Sequence, residues 1–421
     1  MDSHETMKPD YDILIIGGGM IGASLACALA PLSLKIAIIE RHAFQSPSQA
    51  SFDDRSTALA YGTRKIFQSM GIWSLLENLA MPITGIHISD RGHFGATRLS
   101  SQQSGVEALG YVIENRELGA VLQSTLEQNQ QVDLICPADV EDIDINEHCA
   151  EVSVNENGLH RRLTASLIVA ADGSQSFIRQ QLAMPSTTWD YGQTALISNV
   201  STSAPHQQLA YERFTETGPL ALLPMRPLTE HGRVVPRFSL VWTLKPEQVE
   251  EYLGLSDDEF LHRLQQCFGR RLGEFVRVGR RSSYPLQLVK VPTQVLSRVA
   301  LIGNAAHTLH PVAGQGYNLG MRDVAVLSEV LANALNLEAD IGDLQVLKQY
   351  AEWRRRDHNS VSAFTDGLVR VFTNPLLPVK MARSMALTTL DFIPPLKKML
   401  SKRTMGLSGR VPVMARGLPI K

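Results

Sequence analysis

Six residues near the start of the chain, Gly17-Gly18-Gly19-Met20-Ile21-Gly22, constrain the fold more than any others. They fit the spacing GxGxxG and stand between a β-type run, Tyr11–Ile16, and a helix-like stretch, Met20–Leu29. A second apolar run, Lys35–Ile39, ends in an acid, Glu40, 18 residues past Gly22. Together these make a strand–helix–strand unit of about 30 residues, which implies a parallel sheet. Gly17 permits the tight turn, Gly19 lets the backbone approach a pyrophosphate, and Gly22 lets helix and strand pack closely. The helix N-terminus offers unpaired N–H groups and a partial positive charge to phosphates. Glu40 is placed to accept hydrogen bonds from an adenosine ribose, and its charge repels a 2′-phosphate, which argues against NADP in this slot. The pattern predicts a bound dinucleotide, NAD or FAD. A mere tight turn would leave Glu40 without a purpose.

Composition limits the rest. At ~100–200 residues per domain, 421 residues imply two or three domains. An apolar content of 44% with 19% charged residues excludes disorder and collagen-like order. Forty basic against forty-two acidic side chains argue against bulk nucleic-acid binding. The four cysteines, Cys27, Cys136, Cys149 and Cys267, lack CxxC spacing, which removes a zinc ribbon, a thioredoxin-type site and a secreted disulfide framework. The polar start Met1–Thr6 does not read as a signal peptide, and no apolar run approaches the ~18 residues of a spanning helix. The chain is expected to be cytoplasmic, or to lie peripherally on the inner face of a membrane without crossing it.

Charge is unevenly spread. From Arg370 to Lys421 there are ten Lys/Arg against one acid, Asp391, a local balance of +9, so the remainder carries −2 − 9 = −11. Runs such as Pro375–Arg383 and Phe392–Leu400 mix apolar residues with cations, the texture of a segment facing anionic lipid or an acidic partner. A solvated, loosely packed helix pair is the alternative.

Between Trp189 and Pro285 the texture becomes β-rich, with runs at Thr194–Val200, Leu209–Phe214 and Arg237–Thr243 and one helix-like stretch, Asp257–Phe268. This reads as an inserted, largely antiparallel sheet domain. A β-type run, Arg298–Ile302, and a long helix, Asn318–Leu335, follow. Two further motifs stand out. Leu167–Arg179 is an apolar strand ending in Asp172-Gly173, followed by a polar turn; an ordinary strand with an N-capped helix is its plainer reading. Ala300–Asp323 runs from a strand through small residues into a Gly314-Gln315-Gly316 turn, where a bulky planar ligand could lie against backbone. A helix starting just after Gly316 would aim its positive end at that ligand.

These three segments resemble the GxGxxG, DG and GD motifs of the class A flavoprotein aromatic hydroxylases. The stretch His310–Asp323 is similar to the signature of the branch that hydroxylates polyprenylated phenols in ubiquinone biosynthesis. The likeness spans about Tyr11 to Asp366. Within the branch, Ile88–Gly95 and Glu212–Pro224 most resemble enzymes acting on 2-polyprenyl-6-methoxyphenol. The resemblance implies an α/β fold like that of p-hydroxybenzoate hydroxylase. A Rossmann-like FAD-binding domain (1–80, 105–185 and 286–360) would carry an inserted antiparallel substrate domain (81–104 and 186–285). A basic, apolar helical region (361–421) would follow. It further implies a monooxygenase that uses NAD(P)H and O2 and acts through a C4a-hydroperoxyflavin on a phenol, with other ubiquinone-biosynthesis proteins as partners and no nucleic acid. The alternatives are a paralogous hydroxylase at another ring carbon, another flavin oxidoreductase on the same scaffold, and a FAD-stabilised scaffold subunit.

By resemblance the cofactor-binding positions are Gly17, Gly19, Met20, Ile21, Gly22, Glu40, Arg41, Arg55, Arg116, Asp172, Gly303, Asn304, Gly314, Gln315, Gly316 and Asn318. Arg55 would reach FAD phosphates, with an ion pair to Asp53 or Asp54 as its alternative. Arg116 would do likewise, with an intrahelical ion pair as its alternative. Asp172 would shape the backbone. Asn304, where the wider family carries Asp, would hold the ribityl chain. The backbone of Gly314–Gly316 would face the flavin N1–C2=O edge and stabilise the negative charge of reduction. No second GxGxxG occurs, so a nicotinamide donor would bind transiently over the FAD domain. No base for the phenol is identified: His87, His93, His307, His310 and Tyr211 are candidates. Pro311 would shape the flavin face. No metal is expected, because His307 and His310 lack acidic or thiolate neighbours in sequence.

Overall fold

The computed structural model describes residues 8–43, 55–374 and 376–421. Met1–Thr6 and the acids Asp53 and Asp54 lie outside the described residues.

The first strand, Tyr11–Ile16, sits inside an eight-stranded sheet, parallel to Ile36–Ile39 on one side and to Leu159–Ala170 on the other. Val132–Ile135 and Val299–Leu301 extend the parallel set at its two ends. Strands this uniformly apolar need cover on both faces. Ile13 and Ile15 pack under the helices Met20–Leu29 and Gln315–Asn336, while Leu14 and Ile16 meet Val152, Val154 and Ile178. A separate three-stranded sheet joins Ser56–Ala60, Gly110–Glu114 and Met81–Ile83.

The second large sheet has nine strands and is antiparallel apart from one parallel pair, Leu209–Thr215 beside Gly85–Asp90. One of its faces carries Leu196, Tyr211, Leu222, Phe238 and Trp242 under the helices Pro246–Gly254 and Asp257–Phe268. The other face is turned to the first domain.

Several boundaries shift. The long helix starts at Gln315, not Asn318 or after Gly316, with Gly314 in the left-handed region at φ +58°. The division at residue 361 falls inside a continuous 30-residue helix, Leu344–Thr373. Of residues 81–104, only Gly85–Asp90 and Ala96–Ser100 join the nine-stranded sheet. The C-terminal region is not loosely packed: Arg383 is buried on Asp90, and Met414, Ala415 and Ile420 return to the first core. Among the described residues no helix is long and apolar enough to cross a membrane.

Candidate cofactor and substrate site

The glycine turn is as tight as its spacing requires. Gly17 has φ +102°, and a Cβ there would stand 2.6 Å from the Ala171 carbonyl oxygen. A Cβ on Gly22 would lie 1.9 Å from the Gly17 oxygen. The helix that starts at Met20 is capped by Gly19 with no side-chain hydrogen bond, so its first N–H groups point outward. Glu40 is buried; one of its oxygens accepts from Gly18 N–H at 2.7 Å and the other from His42 N–H at 2.9 Å. The acid therefore shapes the turn as well as facing it, and each oxygen keeps a lone pair for a hydroxyl.

The three motifs meet. Gly17 lies against Ala171 and Asp172 of the second motif. Gly303 of the third, at φ +58°, packs on Ile21 of the first. Arg179 of the second donates to the carbonyls of Ala305 (2.9 Å) and Ser174 (2.7 Å). Asp172 accepts from Ile178 N–H, its other oxygen is buried without a partner, and burial raises its pKa. Ser176 caps the short helix Phe177–Gln181, the arrangement that the plainer reading of that segment expects. Asn304 is exposed beside Gly303.

Asn318 is corrected from contact to positioning. Its Oδ1 accepts from Ala60 N–H and the Thr63 hydroxyl, and its Nδ2 donates to the carbonyls of Ala58 and Gly314, all at 2.7 Å. That uses its hydrogen-bonding capacity inside the protein and fixes the Gly-Gln-Gly turn to the strand Ser56–Ala60. Space is open over Gly316, with nothing within 4 Å of a Cβ there. A turn with a cradle on its outer side, at a helix N-terminus, fits the edge of a planar anionic ring.

The arginines separate. Arg41 is at the surface, paired with Asp139 at 2.5 Å. Arg116 pairs with Glu114 at 2.6 Å, a residue that precedes its helix, so the bond is not the intrahelical pair that its alternative expected. The other oxygen of Glu114 takes Arg237 of the nine-stranded sheet at 3.0 Å and ties the two domains together. Arg55 and Arg237 line a cleft of about 580 Å³, with Ile197, Asn199, Ser239 and Val241 of the sheet.

Of the candidate bases, Tyr211 and His87 are corrected. Both lie on the helix-covered face, their rings 5.8 Å apart, with Tyr211 against Phe238 and Phe268 and His87 bonded to Arg271. The residues of that register row point away from the cleft. His93 lies in the Asp90–Gly95 loop, 3.9 Å from Asp90. His310 is fully buried beside the turn. Its Nδ1 accepts from Val312 N–H, so Nε2 carries the proton, which meets no partner, and burial pushes its pKa down to about 4. Pro311 caps the 3-10 turn Val312–Gly314.

His307 also departs from expectation, because it does have an acidic neighbour. Its Nε2 lies 2.7 Å from Asp323, which takes His358 at 2.7 Å, Arg354 at 2.6 Å and the Gly303 N–H at 3.0 Å as well. Burial alone would raise the Asp323 pKa, but His358, Arg354 and His307 hold it well below the usual carboxylate range. Two histidines and a carboxylate have the makings of a metal site. Here the guanidinium supplies the positive charge, and four donors fill the carboxylate, so the group reads as a structural lock behind Gly303.

Sequence reasoning missed Glu212. Its Oε1 is enclosed with no hydrogen-bond partner, and burial raises its pKa to about 7. Alternation along Leu209–Thr215 was the available signal: Ala210, Glu212 and Phe214 share one face, and an acid on an otherwise apolar face needs a reason.

A parallel sheet with a glycine-turn phosphate site, roofed by a second sheet across a cleft, defines a flavoprotein hydroxylase architecture. The FAD binding domain family matches residues 10–365, and the chain belongs to that family. It is 36% identical over 97% of its length to the ubiquinone hydroxylase UbiL of Rhodospirillum rubrum, 93% of which is covered. It is 29% identical to the 3-demethoxyubiquinol 3-hydroxylase of Escherichia coli, across 94% of this chain and 98% of that one. The p-nitrophenol 4-monooxygenase PnpA of Pseudomonas putida shares the fold, with a TM-score of 0.78 at 17% identity over 95% and 98% of the two chains. The protein is an FAD-dependent monooxygenase, of a class whose usual co-substrates are NAD(P)H and O2.

Proposed function

We propose that this monooxygenase hydroxylates the ring of a polyprenylated phenol in ubiquinone biosynthesis, at the 2-polyprenyl-6-methoxyphenol step. The observation that carries the reading is one register row of the nine-stranded sheet. Ile197, Val241 and Ala221 form an apolar strip across three adjacent strands, which Glu212 interrupts before Ile88, on the face turned to the Gly-Gln-Gly turn. The two segments most similar to enzymes of that step, Ile88–Gly95 and Glu212–Pro224, contribute adjacent strands of this face.

FAD, when bound, supplies activation of O2 for insertion of one oxygen atom into an electron-rich ring, with NAD(P)H as reductant. The chain's residues bind and orient. Gly17, Gly19 and Gly22 with the helix N-terminus would hold the pyrophosphate, Glu40 the adenosine ribose, and Asn304 the ribityl chain. The Gly314 N–H is spent on the Pro311 carbonyl at 2.9 Å, so the backbone N–H groups that follow it at the helix start would face the N1–C2=O edge, and the sheet face would exclude water.

A lipid-dissolved substrate calls for a membrane-facing surface, and helix Leu377–Phe392 is built inside out. Arg383 and Asp391 turn inward to Asp90 and Thr97, while Met381, Met385 and Phe392 are 59%, 62% and 78% exposed. Lys397 is paired with Asp391 at 2.8 Å, and the exposed Lys398 and Lys402 beyond it complement anionic headgroups. Replacing the three exposed apolar residues by Ser should abolish binding to anionic vesicles; unchanged binding would refute the membrane face.

The function is tested by NAD(P)H oxidation with and without an alkyl methoxyphenol, with mass spectrometry of the product. Stimulated consumption and a product heavier by one oxygen are expected. Tight FAD without turnover would favour the scaffold reading, and the intermediate that accumulates on gene deletion identifies the ring carbon.

A further inference from the structure

Glu212 stands in the middle of the apolar row, paired in register with Ala221 on one side and Ile88 on the other. Val241, which lines the cleft, is the next residue along, about 10 Å away at two strand spacings. Two residues on, Phe214 shares its face and packs against Val312, in the turn that leads into Gly314. Glu212 thus shares the sheet face that carries the cleft's Val241, at the end of that face where Phe214 stacks on Phe372 of the helix Leu344–Thr373.

Its surroundings are unusual for a carboxylate. Oε1 is enclosed without a partner, and among the described residues no donor meets either oxygen. The lateral neighbours are Ile88 and Ala221, and those along the strand on the same face are Ala210 and Phe214. The titratable groups beyond Phe214 are His310 and Tyr191, in edge contact with each other, and Asp366 on the helix Leu344–Thr373, paired with Arg370. Arg213 and Tyr211 project to the opposite face. A carboxylate kept in such a place with nothing to bond is costly unless a ligand supplies the donor.

We propose that Glu212 is the catalytic base that accepts the proton of the substrate's phenolic hydroxyl. The inference rests on the phenol reading above. In the step, the O–H bond breaks, its electron pair stays on the phenol oxygen and enriches the ring, and the proton passes to Oε of Glu212. No electrons are transferred. Desolvation supports this assignment: a base whose pKa is raised from 4.5 to about 7 approaches a phenol's ~10, improving the transfer equilibrium by a factor of about 300.

The test uses FAD-loaded protein and two probes. A para-acylphenol, a weaker acid than Glu212, added at a pH between the two pKa values so that it is neutral in solution while the carboxylate is ionised, should show part of its phenolate band on binding the native enzyme. In Glu212→Gln, an isosteric change, it should bind within threefold but show no such band. With an alkyl methoxyphenol, kcat for hydroxylation should fall about 100-fold while KM moves less than threefold, and high pH should restore part of the rate. Glu212→Asp, which keeps the acid, should retain more activity than Glu212→Gln and covers the case of a poorly folding Gln variant. A Gln variant with the native phenolate band and a kcat within threefold would overturn the proposal. Failure of native enzyme to bind either phenol would overturn the functional reading on which it rests, and the two failures are told apart by the native protein alone.

Discussion

Asp323→Asn tests whether the charged cluster behind the third motif holds the cofactor turn. The carboxylate receives four donors, two per oxygen: His307 and Gly303 on one, His358 and Arg354 on the other. An amide of the same shape has only one accepting oxygen, so its NH2 must face two of those donors. Facing Oδ2's partners is less costly, because His307 has a free Nδ1 and can switch tautomer to accept from the amide. The Gly303 N–H cannot switch and is left unpaired. Charge is lost as well, leaving the buried Arg354 with Asp357 alone. Breaking a buried pair costs about 3–5 kcal/mol. At about 2 °C per kcal/mol for a chain this long, the expected drop in Tm is roughly 6–10 °C. Gly303 packs on Ile21 at the glycine turn, so FAD affinity should weaken on the order of tenfold. Thermal melts with and without added FAD, and flavin retained on gel filtration, measure both. A variant that melts within 2 °C of the native protein and keeps its flavin would refute the lock.

Gly22→Ala should give colourless protein that stays colourless with added FAD, because its Cβ would stand 1.9 Å from a backbone oxygen; native flavin absorbance would refute the turn's role. His358, pushed down to about 4 by burial against the counterpull of Asp323, is neutral in the folded state until well below the pH at which the unfolded chain protonates. Stability should therefore fall as pH drops from about 6.5 towards 4, by up to about 1.4 kcal/mol per pH unit from this group, and urea midpoints flat over that range would count against it. Glu212 has the opposite sign: its folded pKa is raised, so its contribution is intact below about 4.5 and is lost as pH rises through about 7. Glu212→Gln should accordingly be more stable than the native protein at pH 8, by about 2–3 kcal/mol. This is less than the full shift implies, since the residue is partly exposed; equal urea midpoints at pH 8 would refute the desolvation.

What was legible in the sequence is what depends on local spacing. The glycine turn, its helix and Glu40 fall within 30 residues and impose one geometry. The small-residue run from Gly303 to Gly316 likewise reads as a backbone surface for a ligand. The Asp323 lock was not legible: its members are 16, 31 and 35 residues apart in sequence and come from three elements. Nothing in periodicity says that a strand end and two helices will bring them together. Asn318 sits in a stretch similar to a cofactor signature, yet its bonds to Ala58 and Ala60 arise from a strand some 260 residues earlier. The sequence offers Tyr211 as a candidate base and passes over Glu212, because alternation gives two faces without naming them. Only the helices Pro246–Gly254 and Asp257–Phe268, packed over Tyr211, decide which face is left for the cleft.

Asp323 and Glu212 show how one protein uses buried carboxylates in two ways. Four donors surround the first, so its charge is held at every working pH and its geometry is determined by the groups that bind it. Among the described residues no donor reaches the second, so its charge is uncompensated and its proton affinity is raised to where it can exchange. The saturated acid stands behind the turn and maintains shape; the unsatisfied one stands on the sheet face that carries Val241, where a hydroxyl could complete it. Burial is common to both, and the difference lies in the number of N–H groups the fold delivers. A ligand with one acidic O–H is the partner that would satisfy Glu212 without adding a permanent charge to an apolar wall, whereas a cationic ligand would hold it ionised and end its capacity to take up a proton.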